Sequence, residues 1–168
     1  MTALRAKAGD RRALDDLVRG LHADVWRLCR YLGQPTDPDD LTQETFERVL
    51  RSLHLFRGDG TVRAWALSIA RHVCADSTRR AQRERRLDTR LRSDPDPGYH
   101  HDVSWHEIED LLGTLDDDRR EAFVLTQLVG LSYEEAASAI GCPIGTIRSR
   151  VARARADLLA GGAVEASR

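Results

Sequence analysis

The chain has 168 residues, enough for one domain or two small ones. Its 26 basic and 27 acidic side chains leave a formal net charge of −1, which excludes a uniformly basic nucleic-acid coat. No apolar run approaches the roughly 20 residues of a membrane helix, and residues 1–12 lack a signal-peptide core. A cytoplasmic protein without a membrane partner is therefore expected.

The near-neutral total hides segregation. Eight arginines stand between Arg71 and Arg92, against only Asp76, Glu84 and Asp88. Nine acidic residues and no Lys or Arg follow between Asp94 and Asp118. Such adjacent blocks imply local charge chemistry, not general stickiness. Cys29, Cys74 and Cys142 are odd in number and form no CxxC pair, so neither a disulfide framework nor a zinc cluster is expected. All three sit in apolar helical patterns, where a buried free thiol is the default.

In chain order, the first predicted helix runs from about Asp10 to Gly20, with Ala13, Leu14, Leu17, Val18 and Leu21 as its buried stripe. A second apolar pattern holds Val25, Trp26, Leu28, Cys29 and Leu32, and Gly33-Gln34-Pro35 breaks it. No stretch alternates with period two, so an all-α fold is predicted.

The next helix starts from a strong signal. Asp37 can cap it, Pro38 suits its first position, and Asp39 and Asp40 complement the positive end of the dipole. Leu41, Phe46, Val49, Leu50 and Leu53 can be buried. That leaves Asp39, Asp40, Gln43, Glu44 and Glu47 as an acidic, amide-bearing outer face, which spacing alone reads as a solvated surface.

Phe56-Arg57-Gly58-Asp59-Gly60-Thr61 is a glycine-rich loop. A long helix is predicted from about Val62 to Arg80, with Trp65, Ile69, His72 and Val73 on one side. Its end passes into the basic run Arg79–Arg86. A basic helix beside a Trp can meet phosphates and stack on unpaired bases, and a core Trp with a solvated basic end fits the residues equally. Ser93-Asp94-Pro95-Asp96-Pro97-Gly98 is a linker by composition. His100, His101 and His106 beyond it lack metal-ligand spacing.

Four further helices are predicted, around Ser104–Leu112, Asp116–Leu128, Ser132–Ile140 and Ile144–Ala160. Gly161-Gly162 is expected to end the last, with a frayed tail from Ala163 to Arg168. The last two form a helix-turn-helix. Ser132 and Glu135 have capping-box spacing, Ala137 is small where the helices cross, Gly141 permits a left-handed stop, and Pro143 prevents continuation. Ile147, Val151, Ala154 and Leu158 make the inner stripe of the second helix. Arg148, Ser149, Ala152 and Arg153 lie opposite, flanked by Arg150 and Arg155. Arginine suits this face because its planar fork bonds guanine O6 and N7 together, or a phosphate. The Gly145-Thr146 start leaves backbone N–H groups free for a phosphate.

The segments Asp37-Pro38-Asp39-Asp40-Leu41-Thr42-Gln43-Glu44-Thr45-Phe46, Phe56-Arg57-Gly58, Trp65 with Ile69-Ala70-Arg71, and Gly141–Arg150 resemble the extracytoplasmic-function group of bacterial sigma-70 factors. The wording is similar to the actinobacterial sigma-C type. The resemblance covers about Asp10 to Leu159. It implies two small helical domains: residues 1–86 for polymerase docking and −10 recognition, a flexible linker at 87–103, and residues 104–168 for −35 recognition.

On that resemblance, Asp37, Asp39, Asp40, Gln43, Glu44 and Glu47 would dock on the β′ clamp helices of core RNA polymerase, with the β subunit a further partner. Arg57, Gly58, Asp59, Thr61, Arg63, Trp65, Arg71, His72, Arg79 and Arg80 would open and read the −10 element, the Gly58–Val62 loop holding a flipped base. Thr146, Arg148, Ser149, Arg150, Ala152, Arg153 and Arg155 would read the −35 element. An anti-sigma partner is expected for the group, and no cofactor or metal. His72 stands where the family usually has Asn, and Ala66 where a larger apolar residue is common; both bear on −10 preference. The alternative is an autonomous helix-turn-helix regulator, which leaves the Asp39–Glu47 face without a role. No nucleophile–base pair or phosphate loop points to an enzyme.

Overall fold

The computed structural model describes residues 2–88 and 103–165. The central part of the expected linker, with His100 and His101, lies outside the described residues. Every regular element among those described is helical: α1 (Thr2–Lys7), α2 (Arg11–Leu32), α3 (Pro38–Ser52), α4 (Val62–Asp88), α5 (Val103–Gly113), α6 (Asp117–Phe123), α7 (Tyr133–Ile140) and α8 (Ile144–Glu165). A 3-10 turn, Leu53–Leu55, follows α3, and a π-helical turn, Val124–Leu128, continues α6.

The two N-terminal patterns predicted from sequence are one helix. Asp10 caps α2, its carboxylate accepting from the Ala13 N–H at 3.1 Å. Ala13, Leu17, Leu21, Val25 and Leu28 then run unbroken along one buried face. Gly20 lies on the other side, where an added Cβ would meet nothing within 4 Å. A helical glycine costs about 1 kcal/mol, less than the burial of two or three of those side chains contributes. α2 ends at Gly33, whose N–H donates to the Cys29 carbonyl at 2.8 Å. A Cβ on Gly33 would stand 2.0 Å from Leu41 Cδ1 and 2.6 Å from the Cys29 oxygen.

α3 starts as its sequence predicts, with the Asp37 carboxylate accepting from the Asp39 N–H at 2.8 Å and Pro38 in the first turn. Leu41, Phe46, Val49 and Leu53 are buried, but Leu50 is 43 % exposed. It follows Val49 directly, and the 100° step of a helix carries it off the buried stripe. α4 runs past Arg80 to Asp88. α2, α3 and α4 pack as a three-helix unit around Val25, Leu28, Cys29, Leu41, Val49, Leu67, Ala70 and Val73, with α1 laid along α2. Ala66 is fully buried in this unit.

The second unit packs α6, α7 and α8 around Ala122, Val124, Leu125, Ala136, Ile147, Val151 and Ala154. The Ser132–Glu135 capping box is closed in both directions, at 3.1 and 3.0 Å. Gly141 takes the left-handed conformation, φ +80°, and ends α7. α8 passes through Gly161-Gly162 to Glu165, beyond the stop expected there. Cys142 lies half-buried in the turn between α7 and α8, outside both helices. The two units are in contact, α4 against α7 and α2 against the π turn.

These two glycines should respond in opposite directions. Gly33→Ala should destabilise the protein by about 1–3 kcal/mol through overpacking. Gly20→Ala should stabilise it by up to about 1 kcal/mol. Thermal melting of both variants checks the difference, and equal shifts would contradict this packing at Gly33.

Candidate nucleic-acid interface

The outer face of α8 is built as its spacing predicts. Ile147, Val151 and Ala154 are buried, which turns Arg148, Ser149, Ala152 and Arg153 to solvent. Thr146 is half-buried, and its carbonyl accepts from the Ser149 hydroxyl at 2.9 Å. Arg150 pairs with Asp118, and Arg155 donates to the Gln127 side-chain oxygen at 2.6 Å. Among the described residues, Arg148 and Arg153 are committed to no side-chain partner, so both can offer a full guanidinium fork to an acceptor.

On α3, Asp37, Asp39, Asp40, Gln43 and Glu47 are all exposed. Their pairings are local: Asp39 accepts from the Trp26 indole N–H at 2.8 Å, and Glu47 pairs with Arg51 at 3.3 Å. Glu44 is half-buried and bonds Arg48 at 2.6 Å, and Arg48 also reaches Asp76 of α4 at 3.1 Å. The result is an acidic ridge on a rigid helix.

The loop before α4 surrounds a cavity of about 500 Å³. Phe56 and Trp65 form its aromatic wall, their ring centroids 5.3 Å apart at 47°. Gly58 takes φ +82°, and Arg57, Gly58 and Asp59 are exposed. Lys7 of α1 fixes the loop by donating to the Phe56 carbonyl at 2.9 Å. His72 continues the exposed line along α4. Its Nδ1 lies 2.6 Å from the Ser68 carbonyl, an acceptor, so Nδ1 carries the proton and Nε2 is free to accept in the neutral ring. Arg79 pairs with Asp76 at 2.7 Å, and Arg80 is exposed.

Three residues of this group are held by the second unit. The Thr61 hydroxyl donates to Glu135 at 2.8 Å. Arg63 donates to the Val129 carbonyl at 2.6 Å and the Gly130 carbonyl at 3.2 Å, while its Nε bonds Asp24 at 2.6 Å. Arg71 meets Glu121 at 3.3 Å and the Ile140 carbonyl at 3.4 Å. Arg30, buried in α2, pairs with Glu109 of α5, and Arg27 donates to the Leu128 carbonyl at 3.3 Å. Glu134, Glu135 and Ser138 thereby close the far side of the loop cavity.

Of these side-chain partners the sequence marks only Glu135, and that as a helix cap. Glu109 belongs to the acidic block noted there, which is the one signal that could have found it. Glu121 and the carbonyls of residues 128–130 give no sequence signal. Burial pushes the Glu121 carboxyl above its ordinary range despite the neighbouring Arg71. The Ser132 N–H, then the Thr61 hydroxyl, hold Glu135 below its ordinary range.

Two family models match successive parts of the chain. The model of sigma-70 region 2 matches residues 8–84, and that of sigma-70 region 4 matches residues 105–158. The chain belongs to the sigma-70 family, in its extracytoplasmic-function group. It is 44 % identical over 166 residues to the ECF RNA polymerase sigma factor SigC of Mycobacterium tuberculosis, covering 94 % of this chain and 88 % of that protein. The probable RNA polymerase sigma-C factor of Mycobacterium bovis matches equally. Among solved structures, CnrH in complex with the cytosolic domain of CnrY is 31 % identical, with a TM-score of 0.76 over 95 % of this chain and 93 % of that one. The sigma factor RpoE of Bartonella quintana, in complex with the anti-sigma factor NepR, is 28 % identical, with a TM-score of 0.70 over 86 % and 92 %. No helix among the described residues is long and apolar enough to cross a membrane.

Two tests follow from the contacts between the units. Glu121→Lys sets a cation against Arg71 and should part them. Small-angle scattering should then give a larger radius of gyration while helix content stays unchanged, and an unaltered radius would mean that this pair does not hold the units. The capping carboxylate gives a pH test. Its folded value lies below the ordinary 4.5. Its contribution is therefore complete above 4.5 and is lost as pH falls through the lower folded value. Glu135→Gln should flatten the acid limb of the stability curve, and an acid limb as steep as that of the parent would contradict the role.

Proposed function

We propose that the protein binds core RNA polymerase and directs promoter-specific initiation of transcription. One observation carries this reading: a helix-turn-helix with two uncommitted outward arginines and a separate acidic ridge lie on one chain that matches both sigma regions. Residues 1–86 dock on polymerase and read the −10 element, 87–103 connect, and 104–168 read the −35 element. The protein acts in the cytoplasm as a binding factor and not as an enzyme. Promoter DNA, the β′ clamp helices and the β subunit are its partners, and an anti-sigma protein, as NepR is for the Bartonella quintana neighbour, is a further one.

The chemistry of each surface supports its role. Arg148 and Arg153 suit guanine edges in the major groove, and Arg155 suits a phosphate. Asp40, Gln43 and Glu44 give the α3 ridge the charge and amide groups that a basic polymerase surface would meet. The aromatic loop cavity has the size and stacking walls that an unstacked base needs. Because Thr61, Arg63 and Arg71 are bonded to the second unit, −10 reading requires the units to separate. An autonomous regulator would use α8 alone and give the α3 ridge no work.

Arg148→Ala or Arg153→Ala should weaken −35 binding by about 1–3 kcal/mol and relax base preference, whereas Arg155→Ala should weaken all sequences alike. Asp40→Arg with Glu44→Arg should abolish transcription from a cognate promoter while the melting temperature changes little. In vitro transcription with core polymerase decides: a folded double mutant that still initiates normally would remove α3 as the docking surface. A parent protein that blocks transcription instead of starting it would sink the reading.

A further inference from the structure

Gln127 lies in the π-helical turn after α6 and is exposed. In that turn the Val129 N–H reaches back five residues to the Val124 carbonyl, at 2.9 Å, and single π turns are frequent at functional sites. Adjacent side chains on a helix normally diverge. Here the Gln127 amide folds back on Thr126, donating to its hydroxyl oxygen at 3.0 Å. The Thr126 hydroxyl is buried and donates in turn to the Ala122 carbonyl at 2.7 Å. At its other end, the Gln127 Oε1 accepts from Arg155 of α8 at 2.6 Å.

The partners of a glutamine amide decide which end is oxygen and which is nitrogen. Both ends of this amide require the same orientation. The Thr126 proton is committed to Ala122, so the Thr126 oxygen accepts and must meet the amide N–H. Arg155 has donors alone and must meet the amide oxygen. A relay thus runs from a backbone carbonyl of α6 to a guanidinium on the face of α8. It engages Arg155 through Nη2, and Arg155 has no other side-chain partner among the described residues.

We propose that Gln127 is the positioning residue for the phosphate contact of Arg155. The proposal rests on the −35 reading of α8. An arginine that grips a phosphate loses rotamer freedom. Gln127 takes that loss before DNA arrives and leaves the other N–H groups of Arg155 for phosphate oxygens. An amide suits the task better than a carboxylate, because it orients the guanidinium without setting a negative charge beside the DNA. The bond is not needed to hold α8 in place. Arg119 with Asp157, at 2.6 Å, and Arg150 with Asp118 already tie α6 to α8, over the buried Ile147, Val151 and Ala154.

The test measures binding of the full-length protein to a short fluorescein-labelled DNA duplex of mixed sequence, by anisotropy over a range of salt concentrations. Mixed sequence suffices because a phosphate contact carries no base preference. Arg155→Ala should weaken binding and reduce the salt slope by about one. Gln127→Met keeps the side-chain length and removes the amide. It should weaken binding about three- to tenfold at an unchanged salt slope, because the phosphate contact is still made. In the Arg155→Ala background, Gln127→Met should have no effect. Melting temperatures should change little, whereas a purely structural bond would lower them and weaken binding equally in both backgrounds. Gln127→Met that binds as the parent does, or more tightly, while Arg155→Ala is weakened, would overturn the proposal alone. So would additive losses in the double variant. Parent-like binding by Arg155→Ala would also overturn it, and if Arg148→Ala and Arg153→Ala bind as the parent too, the −35 reading falls with it.

Discussion

One guanidinium holds three parts of this molecule in register. Arg63, in the first turn of α4, bonds Asp24 of α2 on one side and the carbonyls of Val129 and Gly130 on the other. Those carbonyls follow the π turn, just before the Ser132 cap of α7. Fixing them fixes where α7 begins, and so places Glu134 and Glu135 against the glycine loop. An arginine can do this because its five donors form a rigid fork, while a backbone carbonyl left without a donor at such a junction is costly.

The charges divide accordingly. Cations of the first unit that point toward the second are spent internally, as Arg27, Arg30, Arg63 and Arg71 are. Arg148 and Arg153, which point outward on α8, are left uncommitted. The near-zero net charge thus conceals a closed internal set and two open surfaces of opposite sign, the α3 ridge and the α8 face. The acidic block between Asp94 and Asp118 contributes Glu109 to the closed set. Glu121 belongs to that set at some expense: its raised pKa says that desolvation outweighs the attraction of Arg71.

Much of the local structure was readable from residue order. Asp37-Pro38, Ser132 with Glu135, and Gly141 before Pro143 each specify a helix end through bonds a few residues apart, and each forms as its chemistry requires. The inner stripes of α3 and α8 follow from 3.6-residue periodicity alone. The misreadings have a common origin. Gly20 and Gly161-Gly162 mark helix ends by their local cost, and packing with continuing backbone hydrogen bonds overrides that cost in α2 and α8. Leu50 was assigned to the core because composition does not show how wide a buried stripe will be.

What the sequence determined by itself was therefore whatever depends on neighbours along the chain: helix starts and stops, the helix-turn-helix, the outward arginines, the acidic ridge and the family. What only the tertiary structure decided was which polar groups meet across long separations. Thr61 and Glu135, Arg63 and Val129, and Arg71 and Glu121 are brought together by the packing of the helices, and no spacing in the chain encodes such a pairing. The physical reason is that helix geometry is local and repeats with a fixed period, whereas contacts between helices depend on packing angles and side-chain volumes summed over the whole core.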